Sequence, residues 1–329
     1  MEGTSAPGPG LVTLDEVREA ASRIEGVALR TPLLPFPELS ARLGGELRLK
    51  CESLQRSGSF KMRGALNFIS QLTEEGRQGG VITYSSGNHA QALAFAARSE
   101  GIRAVAVMPT NAAPVKIEGA KRLGAEVVLE GTTSMERKSR AEALAREQGL
   151  TVVPPFEHPF IIAGQGTVGL EIVDQWPEVE VVLVPIGGGG LVSGIAVAVK
   201  GLLPRASVIG VEAFGAPTMH AALEAGMPVT LPEVNTIADG LKPVRVGDLT
   251  FLHARALVDD VVLVEDEAIR EATAVLLHQR KLVVELSGAA VVGALLSNPD
   301  LTRGRKVAAV LSGGNVDTTV LEGLAGSAA

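Results

Sequence analysis

The sequence has little cysteine, few aromatic residues and no excess of positive charge, and each shortage excludes a class of protein. Cys51 is the single cysteine among 329 residues. A single cysteine excludes an internal disulfide framework and fits a reducing cytoplasm. We interpret Cys51 itself as a packing residue. Aromatic residues make up 3% and the net charge is −7, which argues against base stacking and a nucleic-acid surface. We expect a cytoplasmic protein with small-molecule partners and no nucleic acid.

Features of secretion and membrane insertion are also missing. Residues 1–10 carry no positively charged start and no apolar stretch, which predicts a loose tail rather than a signal peptide. Residues 181–199 are uncharged and long enough to span a bilayer. However, Pro185 and four glycines interrupt this stretch and would break a membrane helix. A buried strand, loop and helix is the better interpretation, and no membrane partner is expected.

Short apolar runs alternate with helical patterns along the chain, which predicts an α/β fold. The predicted strands fall into two sets, at 81–84, 104–108, 126–129 and 151–153, and at 181–186, 208–211, 261–264 and 307–311. Helices are predicted at 17–24, 90–98, 115–123 and 135–148, and a polar loop follows Thr31-Pro-Leu. We therefore expect two lobes, each with a mainly parallel sheet covered by helices, and an active site in the cleft between them. Residues 1–70 and 156–329 would form the large lobe and 71–155 the small one, with no appended regulatory domain.

Four consecutive glycines, Gly187, Gly188, Gly189 and Gly190, lie between the apolar run 181–186 and a helical pattern beginning at Leu191. Without Cβ atoms, their backbone N–H groups can converge on one point in front of a helix N-terminus. Such a position binds phosphate. The loop therefore predicts a phosphorylated ligand.

A lysine surrounded by small residues lies in Ser57-Gly-Ser-Phe-Lys61-Met-Arg-Gly-Ala65. At the start of a helix and partly removed from water, Lys61 would have a lowered pKa and a free amine that serves as nucleophile or base. A surface lysine at a helix start is also compatible with this spacing.

Small polar residues follow two predicted strands. Ser85-Ser-Gly-Asn-His89 follows the strand 81–84, and Ser312-Gly-Gly-Asn follows the strand 307–311. Ligands bind at the carboxyl ends of strands in α/β folds, so both segments are candidates for anion or carboxylate binding. An ordinary helix cap at Asn88 or a serine remains an alternative, and His89 is interpreted as structural rather than as a general base.

A dinucleotide site is the alternative explanation of the glycine run. A G-x-G-x-x-G pattern begun at Gly188 reaches Ser193 at its last position, so the fingerprint is incomplete. No Gly-Lys-Ser/Thr of a P-loop follows either. Glu212, at the end of the next strand, would be the ribose-binding acid of a nicotinamide-dependent dehydrogenase.

Together the four motifs resemble pyridoxal-phosphate enzymes of fold type II, in particular the threonine/serine dehydratase and serine racemase group. The resemblance is carried by Ser59-Phe-Lys61-Met-Arg-Gly, Ser85-Ser-Gly-Asn-His89, Gly187–Gly190 and Ser312-Gly-Gly-Asn, in the family's order. Thr236-Ile-Ala-Asp-Gly240 is also typical of the group. The resemblance extends from Thr31 to Asn315 and implies the fold type II architecture with pyridoxal 5′-phosphate as cofactor.

The resemblance also implies roles for individual residues. Lys61 would hold the cofactor as a Schiff base and then act as base at the substrate Cα, and Ser86 would be the acid or base on the opposite ring face. The remaining cofactor contacts implied are Phe60 against the ring, Asn88 at its 3′-oxygen, Gly187, Gly188, Gly189 and Gly190 at the phosphate, Glu285 near the ring and Ser312 at the pyridine nitrogen. Ser85, Ser86, Asn88 and His89 would bind the substrate carboxylate.

A hydroxyl at the pyridine nitrogen implies a weak electron sink, which suits elimination. The expected reaction is β-elimination from a β-hydroxy amino acid, L-threonine or L-serine, to a 2-oxo acid and ammonia. Serine racemisation and 3-hydroxyaspartate ammonia-lyase activity are alternatives within the family. Pro243 stands where the racemase has serine, which argues against racemisation as the main activity. A cofactor-binding regulatory protein is the non-catalytic alternative, and homo-oligomerisation is a family-level expectation.

One departure concerns a divalent cation. Relatives that bind one use an acid at the position of Glu212, a backbone carbonyl at Ala216, and a second acid where this chain has Thr218. Because negative charge sets the affinity of such a site, the loss of the second carboxylate weakens it. Glu212 and Ala216 are the ligands that remain, and a bound cation is not the expectation.

Overall fold

The computed structural model describes residues 10–325 of the 329-residue chain. The tail predicted at residues 1–10 therefore lies, apart from Gly10, outside the described residues. Among residues 10–325, no helix combines the length and apolarity needed to cross a membrane.

The strands belong to two sheets. They are β1 (Leu33–Pro35), β2 (Glu46–Cys51), β3 (Val81–Tyr84), β4 (Ala104–Met108), β5 (Glu126–Leu129), β6 (Thr151–Val152), β7 (Val181–Pro185), β8 (Ser207–Ala213), β9 (Asp260–Val264) and β10 (Lys306–Leu311). The large sheet has the order β1-β2-β10-β7-β8-β9, and all its neighbours are parallel except β1 with β2. The small sheet, β5-β4-β3-β6, is entirely parallel.

Helices cover both sheets. They are α1 (Leu14–Ile24), α2 (Pro37–Leu43), α3 (Lys61–Ile69), α4 (Glu74–Gly79), α5 (Asn88–Ser99), α6 (Pro114–Arg122), α7 (Ser134–Gln148), α8 (Pro159–Gln175), α9 (Gly190–Leu202), α10 (Thr218–Ala225), α11 (Asp248–Leu257), α12 (Asp266–Arg280), α13 (Leu286–Ser297) and α14 (Thr318–Ala325). Short 3₁₀ turns occupy Glu52–Leu54, Asp239–Leu241 and Pro299–Leu301. The predicted α/β class with two mainly parallel sheets is confirmed.

The large sheet is buried on both faces, which explains its continuous apolar strands. Within β7, Val181 and Leu183 belong to one apolar core, whereas Val182 and Val184 belong to the other. This alternation is the two-residue period of a strand covered on both faces. The two cores fix the large sheet as the central layer of a three-layer arrangement.

Local sequence signals mark several element ends. Thr13 and Glu16 form a capping box at the start of α1, with the Glu16 N–H donating to Thr13 Oγ1 at 3.2 Å. Gly149, the residue following α7, has a φ of 69°, which is the left-handed conformation that glycine adopts without strain.

The polar loop expected after Thr31-Pro-Leu is wrong, because β1 and β2 occupy part of that segment. In β2, Glu46, Arg48 and Lys50 alternate with apolar residues, so the strand has no continuous apolar run. Lys50 is nevertheless fully buried, where it pairs with Glu171 of α8. A buried ion pair is a tertiary feature that the local pattern does not show.

Candidate active site

A cavity of about 560 Å³ opens where strands of both sheets end. Every residue predicted to contact cofactor or substrate lines it, and these are Phe60, Lys61, Ser85, Ser86, Asn88, His89, Gly187, Gly188, Gly189, Gly190, Glu285 and Ser312. The structure therefore brings together five sequence segments that are far apart in the chain. Glu212 is not among the lining residues.

The glycine run connects β7 to α9 and forms one wall of the cavity. In the described part of the chain, none of the four N–H groups donates a hydrogen bond to protein. A Cβ on Gly188 would lie 2.2 Å from the Phe156 ring, and Gly189 has a φ of 93°, a left-handed conformation that favours glycine. Only glycine allows this close packing and this turn. The loop is thus a wall of free amide donors before a helix N-terminus, which suits a phosphate group.

Lys61 is the first residue of α3, and its ammonium group lies in the same cavity. Its Nζ donates to the Pro155 carbonyl oxygen at 2.6 Å and lies 5.2 Å from the centroid of the Phe60 ring. Burial lowers the pKa of Lys61 to about 8, although Glu285 opposes the shift. The neutral amine, which is the nucleophilic form, is therefore more abundant near neutral pH than in an exposed lysine.

The segment before Lys61 is tied to the segment that follows β10. The Phe60 N–H donates to the Ser312 carbonyl oxygen at 3.1 Å, and Ser59 forms an antiparallel bridge with Gly313. Asn315 Nδ2 donates at 2.9 Å to both the Ser57 carbonyl oxygen and Asn88 Oδ1. These bonds connect three of the four motifs and position Lys61 relative to Ser312 and Asn88.

Asn88 begins α5, and its side chain contacts Glu285. Its Nδ2 donates to Glu285 Oε1, while the Glu285 N–H donates to the Gly313 carbonyl oxygen at 3.0 Å. Burial raises the pKa of Glu285, an effect that Lys116 and Asn88 oppose. The alternative interpretation of Asn88 or a serine as helix cap is wrong, because Gly87 occupies that position and no side chain caps the helix.

His89 is buried, and its Nε2 lies 3.3 Å from the Val153 carbonyl oxygen. Burial lowers the pKa of His89 to about 3, and the nearby Lys61 charge acts in the same direction, so the imidazole is neutral. With Nε2 as donor to that carbonyl, Nδ1 carries no proton and cannot donate to a carboxylate. The geometry favours the structural interpretation, and any contact with a substrate carboxylate is left to the backbone N–H of His89 in the first turn of α5.

Glu212 lies in β8, and its carboxyl group is hydrogen-bonded to the start of α10. Its carboxylate accepts from Thr218 Oγ1 at 3.0 Å and from the N–H groups of Met219 and His220 at 2.8 and 2.9 Å. Thr218 thus supplies a donor where a cation site needs a second acid. Among residues 10–325, no three or more His, Cys, Asp or Glu side chains cluster as metal ligands. This donor set does not fit a hard divalent cation.

Two contacts around the cavity were missed by the sequence interpretation. Lys116 of α6 pairs with Asp239 at 3.3 Å, which joins a helix beside the small sheet to a turn beside the large one. Phe156 packs against the glycine run. Asp239 lies within the Thr236–Gly240 motif, which was a usable signal, whereas neither Lys116 nor Phe156 belongs to a recognisable pattern.

A buried amine and a set of free amide donors in one cavity define an enzyme that holds a phosphorylated carbonyl cofactor. The comparisons identify that cofactor, because the sequence model for "Pyridoxal-phosphate dependent enzyme" matches residues 24–313. The chain belongs to this family. Its cofactor is pyridoxal 5′-phosphate, and the nicotinamide-dependent dehydrogenase alternative is overturned.

Individual relatives are similar over almost the whole chain. An L-threonine ammonia-lyase of Thermotoga maritima is 45% identical over 312 residues, covering 95% of this chain and 78% of the relative. The structure of maize serine racemase superposes with a TM-score of 0.91 at 39% identity, covering 95% of this chain and 96% of that one. The processed form of threonine deaminase isoform 2 from Solanum lycopersicum gives a TM-score of 0.89 at 36% identity, covering 98% and 90%. The fold expected from the resemblance is confirmed.

Proposed function

We propose that this enzyme removes the β-hydroxyl group of L-threonine and L-serine, giving a 2-oxo acid and ammonia. The observation that carries the proposal is the Lys61 amine, with its pKa lowered to about 8, in the same cavity as the free amides of Gly187–Gly190. Relatives named threonine ammonia-lyase and threonine deaminase support the substrate class.

The residues around the cavity fit the cofactor. The glycine amides would hold its phosphate, Asn88 its ring oxygen and Ser312 its ring nitrogen, with Phe60 and Glu285 beside the ring. When bound, pyridoxal phosphate supplies an electron sink for bond cleavage at the substrate Cα. Lys61 would hold the cofactor and then take the α-proton on Nζ. The neutral form of that amine, which burial favours, is the form that can accept a proton.

The start of α5 would bind the substrate carboxylate. Ser85, Ser86 and Asn88 line the cavity beside the backbone N–H groups at the helix N-terminus, where the helix dipole favours an anion. Ser86 would also serve as the second acid or base. A serine racemase is among the similar structures, so reprotonation at Cα is the second candidate activity. Pro243 lines the same cavity and is the residue that argues against it.

The arrangement of the chain and its cellular setting complete the proposal. The small sheet is built from residues 81–152 and the large sheet from residues 33–51 and 181–311. This supports a small domain at 71–155 and a large domain at 1–70 and 156–329.

We also propose a cytoplasmic homo-oligomer, on the basis of the single buried thiol and the family resemblance, and light scattering in solution tests the assembly.

Product analysis tests the reaction directly. The cofactor-loaded protein is incubated with L-threonine and L-serine, and 2-oxo acid, ammonia and D-serine are measured. Replacement Lys61→Ala is expected to lower elimination by at least about 10³-fold, because the base is lost. Lys121→Ala, which removes an exposed lysine of α6, is the matched control and should retain activity. Full elimination activity in Lys61→Ala would overturn the assignment.

Cofactor capture gives a second test that does not depend on turnover. In cofactor-free protein, the neutral Lys61 amine is the reacting form. The rate at which added pyridoxal phosphate is incorporated should therefore rise about tenfold per pH unit below pH 8 and level off above it. Absorbance follows the incorporation, and borohydride treatment followed by peptide mapping locates it. A rate that continues to rise to about pH 10 would mean that burial does not lower the Lys61 pKa.

A further inference from the structure

Thr250 is a fully buried residue of α11 that contacts the glycine run from outside the cavity. None of its surface is exposed, and it is not among the residues that line the cavity. Its Oγ1 lies 2.8 Å from the Gly188 carbonyl oxygen and 3.1 Å from the Gly247 carbonyl oxygen. Both oxygens are acceptors, so the hydroxyl group is the donor, and Gly188 is the nearer of the two.

The Gly188 carbonyl depends on this hydroxyl group. Among the described residues, no backbone N–H donates to it, and the hydrogen bonds at the start of α9 begin with the Ser193 N–H, which donates to the Gly189 carbonyl oxygen. Thr250 Oγ1 is therefore its one donor in this part of the chain. Because a buried carbonyl without a donor costs free energy, the hydroxyl group holds the direction in which this carbonyl points.

The direction of this carbonyl decides what the next residue presents to the cavity. Gly188 and Gly189 are joined by a trans peptide, in which the C=O and N–H groups point in opposite directions. With its oxygen held by Thr250, the peptide directs the Gly189 N–H away from α11, and Gly189 lines the cavity. Thr250 thus orients one of the free amide donors of the glycine run.

A peptide between two glycines needs such a contact to stay in one orientation. Gly189 has a φ of 93°, and glycine populates negative φ about as readily as positive φ. Rotating the peptide by half a turn would exchange the N–H group for the carbonyl oxygen. An oxygen in that place would repel a phosphate group. The Thr250 hydroxyl group favours the orientation that attracts it.

Two contacts hold Thr250 itself in place. Glu157 Oε1 accepts from the Leu249 N–H at 2.7 Å, which ties the first turn of α11 to the segment after β6. Ser193 Oγ of α9 donates to the Thr250 carbonyl oxygen at 3.3 Å. A side chain fixed on both sides can hold a neighbouring peptide in a defined position.

We propose that Thr250 is a positioning residue for the phosphate site, because its hydroxyl group holds the Gly188–Gly189 peptide with the N–H toward the cavity. The inference rests on the proposed binding of the cofactor phosphate by Gly187–Gly190 and adds a residue that acts through this peptide. The role predicts an effect on affinity that is confined to the phosphate group of the cofactor.

Pyridoxal, which lacks the phosphate, separates this role from a structural one. The dissociation constants of pyridoxal phosphate and of pyridoxal are measured on the full-length protein by equilibrium dialysis with absorbance detection. In Thr250→Val, the affinity for pyridoxal phosphate should fall about tenfold, which corresponds to one hydrogen bond of ordinary strength. The affinity for pyridoxal should change less than about twofold. Thr250→Ser keeps the hydroxyl group and should keep the ratio of the two constants within about threefold of wild type.

Thr273→Val is the matched control. Thr273 is a buried threonine of α12 whose Oγ1 donates at 2.8 Å to the Ile269 carbonyl oxygen of its own helix, and it does not line the cavity. The control loses a buried hydroxyl group of the same kind and should keep the wild-type ratio of the two dissociation constants.

Inorganic phosphate gives a second measurement on protein loaded with pyridoxal. The dissociation constant of phosphate, obtained from the change in pyridoxal absorbance, should rise about tenfold in Thr250→Val. Equal losses of affinity for pyridoxal phosphate and pyridoxal would overturn the proposal, because they would assign Thr250 a structural role. Unchanged constants in Thr250→Val would overturn it as well.

The same measurements separate this inference from the proposed function. If wild type binds pyridoxal as tightly as pyridoxal phosphate, the assignment of the glycine run to the phosphate fails, and the role of Thr250 fails with it. If wild type prefers pyridoxal phosphate and Thr250→Val keeps that preference, only the role of Thr250 fails. Neither measurement depends on turnover, so a protein that eliminates no hydroxy amino acid still decides the role of Thr250.

Discussion

Two buried arginines, Arg63 and Arg137, lie in opposite electrostatic surroundings. Arg63 is 1% exposed and donates to both oxygens of Glu52, both oxygens of Glu171, Thr167 Oγ1 and the Leu29 carbonyl oxygen. Arg137 of α7 lines the cavity, is 8% exposed, and makes one side-chain hydrogen bond and no ion pair to the described residues. The two side chains are chemically identical, so the difference lies in what the fold places around them.

Arg63 belongs to a cluster of charged residues that joins a strand, a 3₁₀ turn and two helices. This ion cluster consists of Lys50 of β2, Glu52, Arg63 of α3 and Glu171 of α8, and Lys50 Nζ also donates to the Thr31 carbonyl oxygen at 2.7 Å. Because Arg63 lies two residues after Lys61, the cluster holds in place the helix α3, which begins at Lys61. A buried charge satisfied within the protein holds the scaffold, whereas one left open at a cavity is available to a ligand.

Two buried carboxyl groups show the same contrast. Burial by itself raises the pKa of Glu52, but the Arg63 guanidinium, together with Lys50 and Thr31, outweighs burial and holds the pKa below its usual value. Glu212 has no cation beside it among the described residues, and burial raises its pKa to about 7 in spite of hydrogen bonds from Met219, His220 and Thr218. Burial raises the pKa of both carboxyl groups, but the net pKa shifts are opposite, because within residues 10–325 only Glu52 has a counter-ion.

The largest expected effect is on the ion cluster. Arg63→Met leaves Glu52 buried without its cation, and the free energy of unfolding should fall by about 3–5 kcal/mol. Urea denaturation of the cofactor-loaded protein measures it. Arg42→Met, at an exposed arginine 3.9 Å from Glu271, is the matched control and should change stability by less than about 0.5 kcal/mol. A loss below about 1 kcal/mol in Arg63→Met would show that the cluster does not hold the scaffold.

A smaller, pH-dependent effect is expected at Glu212. Because its folded pKa is about 7 and its ordinary value is 4.5, the unfolded chain releases this proton first as pH rises. The unfolding free energy contributed by Glu212 should therefore fall by about 3 kcal/mol between about pH 4 and pH 8. In Glu212→Gln this dependence disappears, so the difference between the two proteins should change by that amount across the range. A constant difference would mean that burial does not raise the pKa of Glu212 above its value in the unfolded chain.

The parts of the site that the sequence predicted are those encoded by backbone chemistry. A run such as Gly187–Gly190 after an apolar strand, or Asn88 and Ser312 after β3 and β10, lies at a strand end in any parallel α/β fold, and each residue does line the cavity. Strand ends converge by topology, so local pattern was sufficient to place them. The roles of these residues toward cofactor and substrate remain predictions.

The parts that the sequence could not predict depend on pairing between distant segments. β2 was missed because Lys50 is charged and yet buried, and its partner Glu171 lies 121 residues away. Arg137 lies in a helix whose composition is mostly polar, and nothing in its spacing distinguishes it from the neighbouring Arg140. Whether a charge is satisfied is decided by the tertiary fold, so it becomes visible only in the structure.

The next effect, smaller again, is on the stability of Arg137→Met. The substitution removes one hydrogen bond, from Arg137 to the Thr132 carbonyl oxygen, which destabilises the fold. It also removes the free-energy cost of burying a charge without a counter-ion, which stabilises the fold. The two contributions oppose each other, and the free energy of unfolding should stay within about 1 kcal/mol of wild type in urea denaturation of the cofactor-loaded protein without substrate. Comparison with Arg63→Met in the same experiment sharpens the contrast. A loss as large as that of Arg63→Met would mean that Arg137 supports the scaffold.

The smallest effect is expected at an exposed arginine that is nevertheless fully paired. Arg103 forms two hydrogen bonds of 2.7 Å with Glu126, but 44% of its side chain is exposed. Water and salt screen such a pair, so Arg103→Ala should lower the unfolding free energy by only about 0.5 kcal/mol, and by less in about 1 M salt. Urea denaturation at low and high salt measures both values. If Arg103→Ala cost as much as Arg63→Met, the number of hydrogen bonds rather than burial would set the energy of these arginines. A small, salt-sensitive loss assigns the difference between Arg63 and Arg103 to desolvation, because both guanidinium groups are paired with carboxylates.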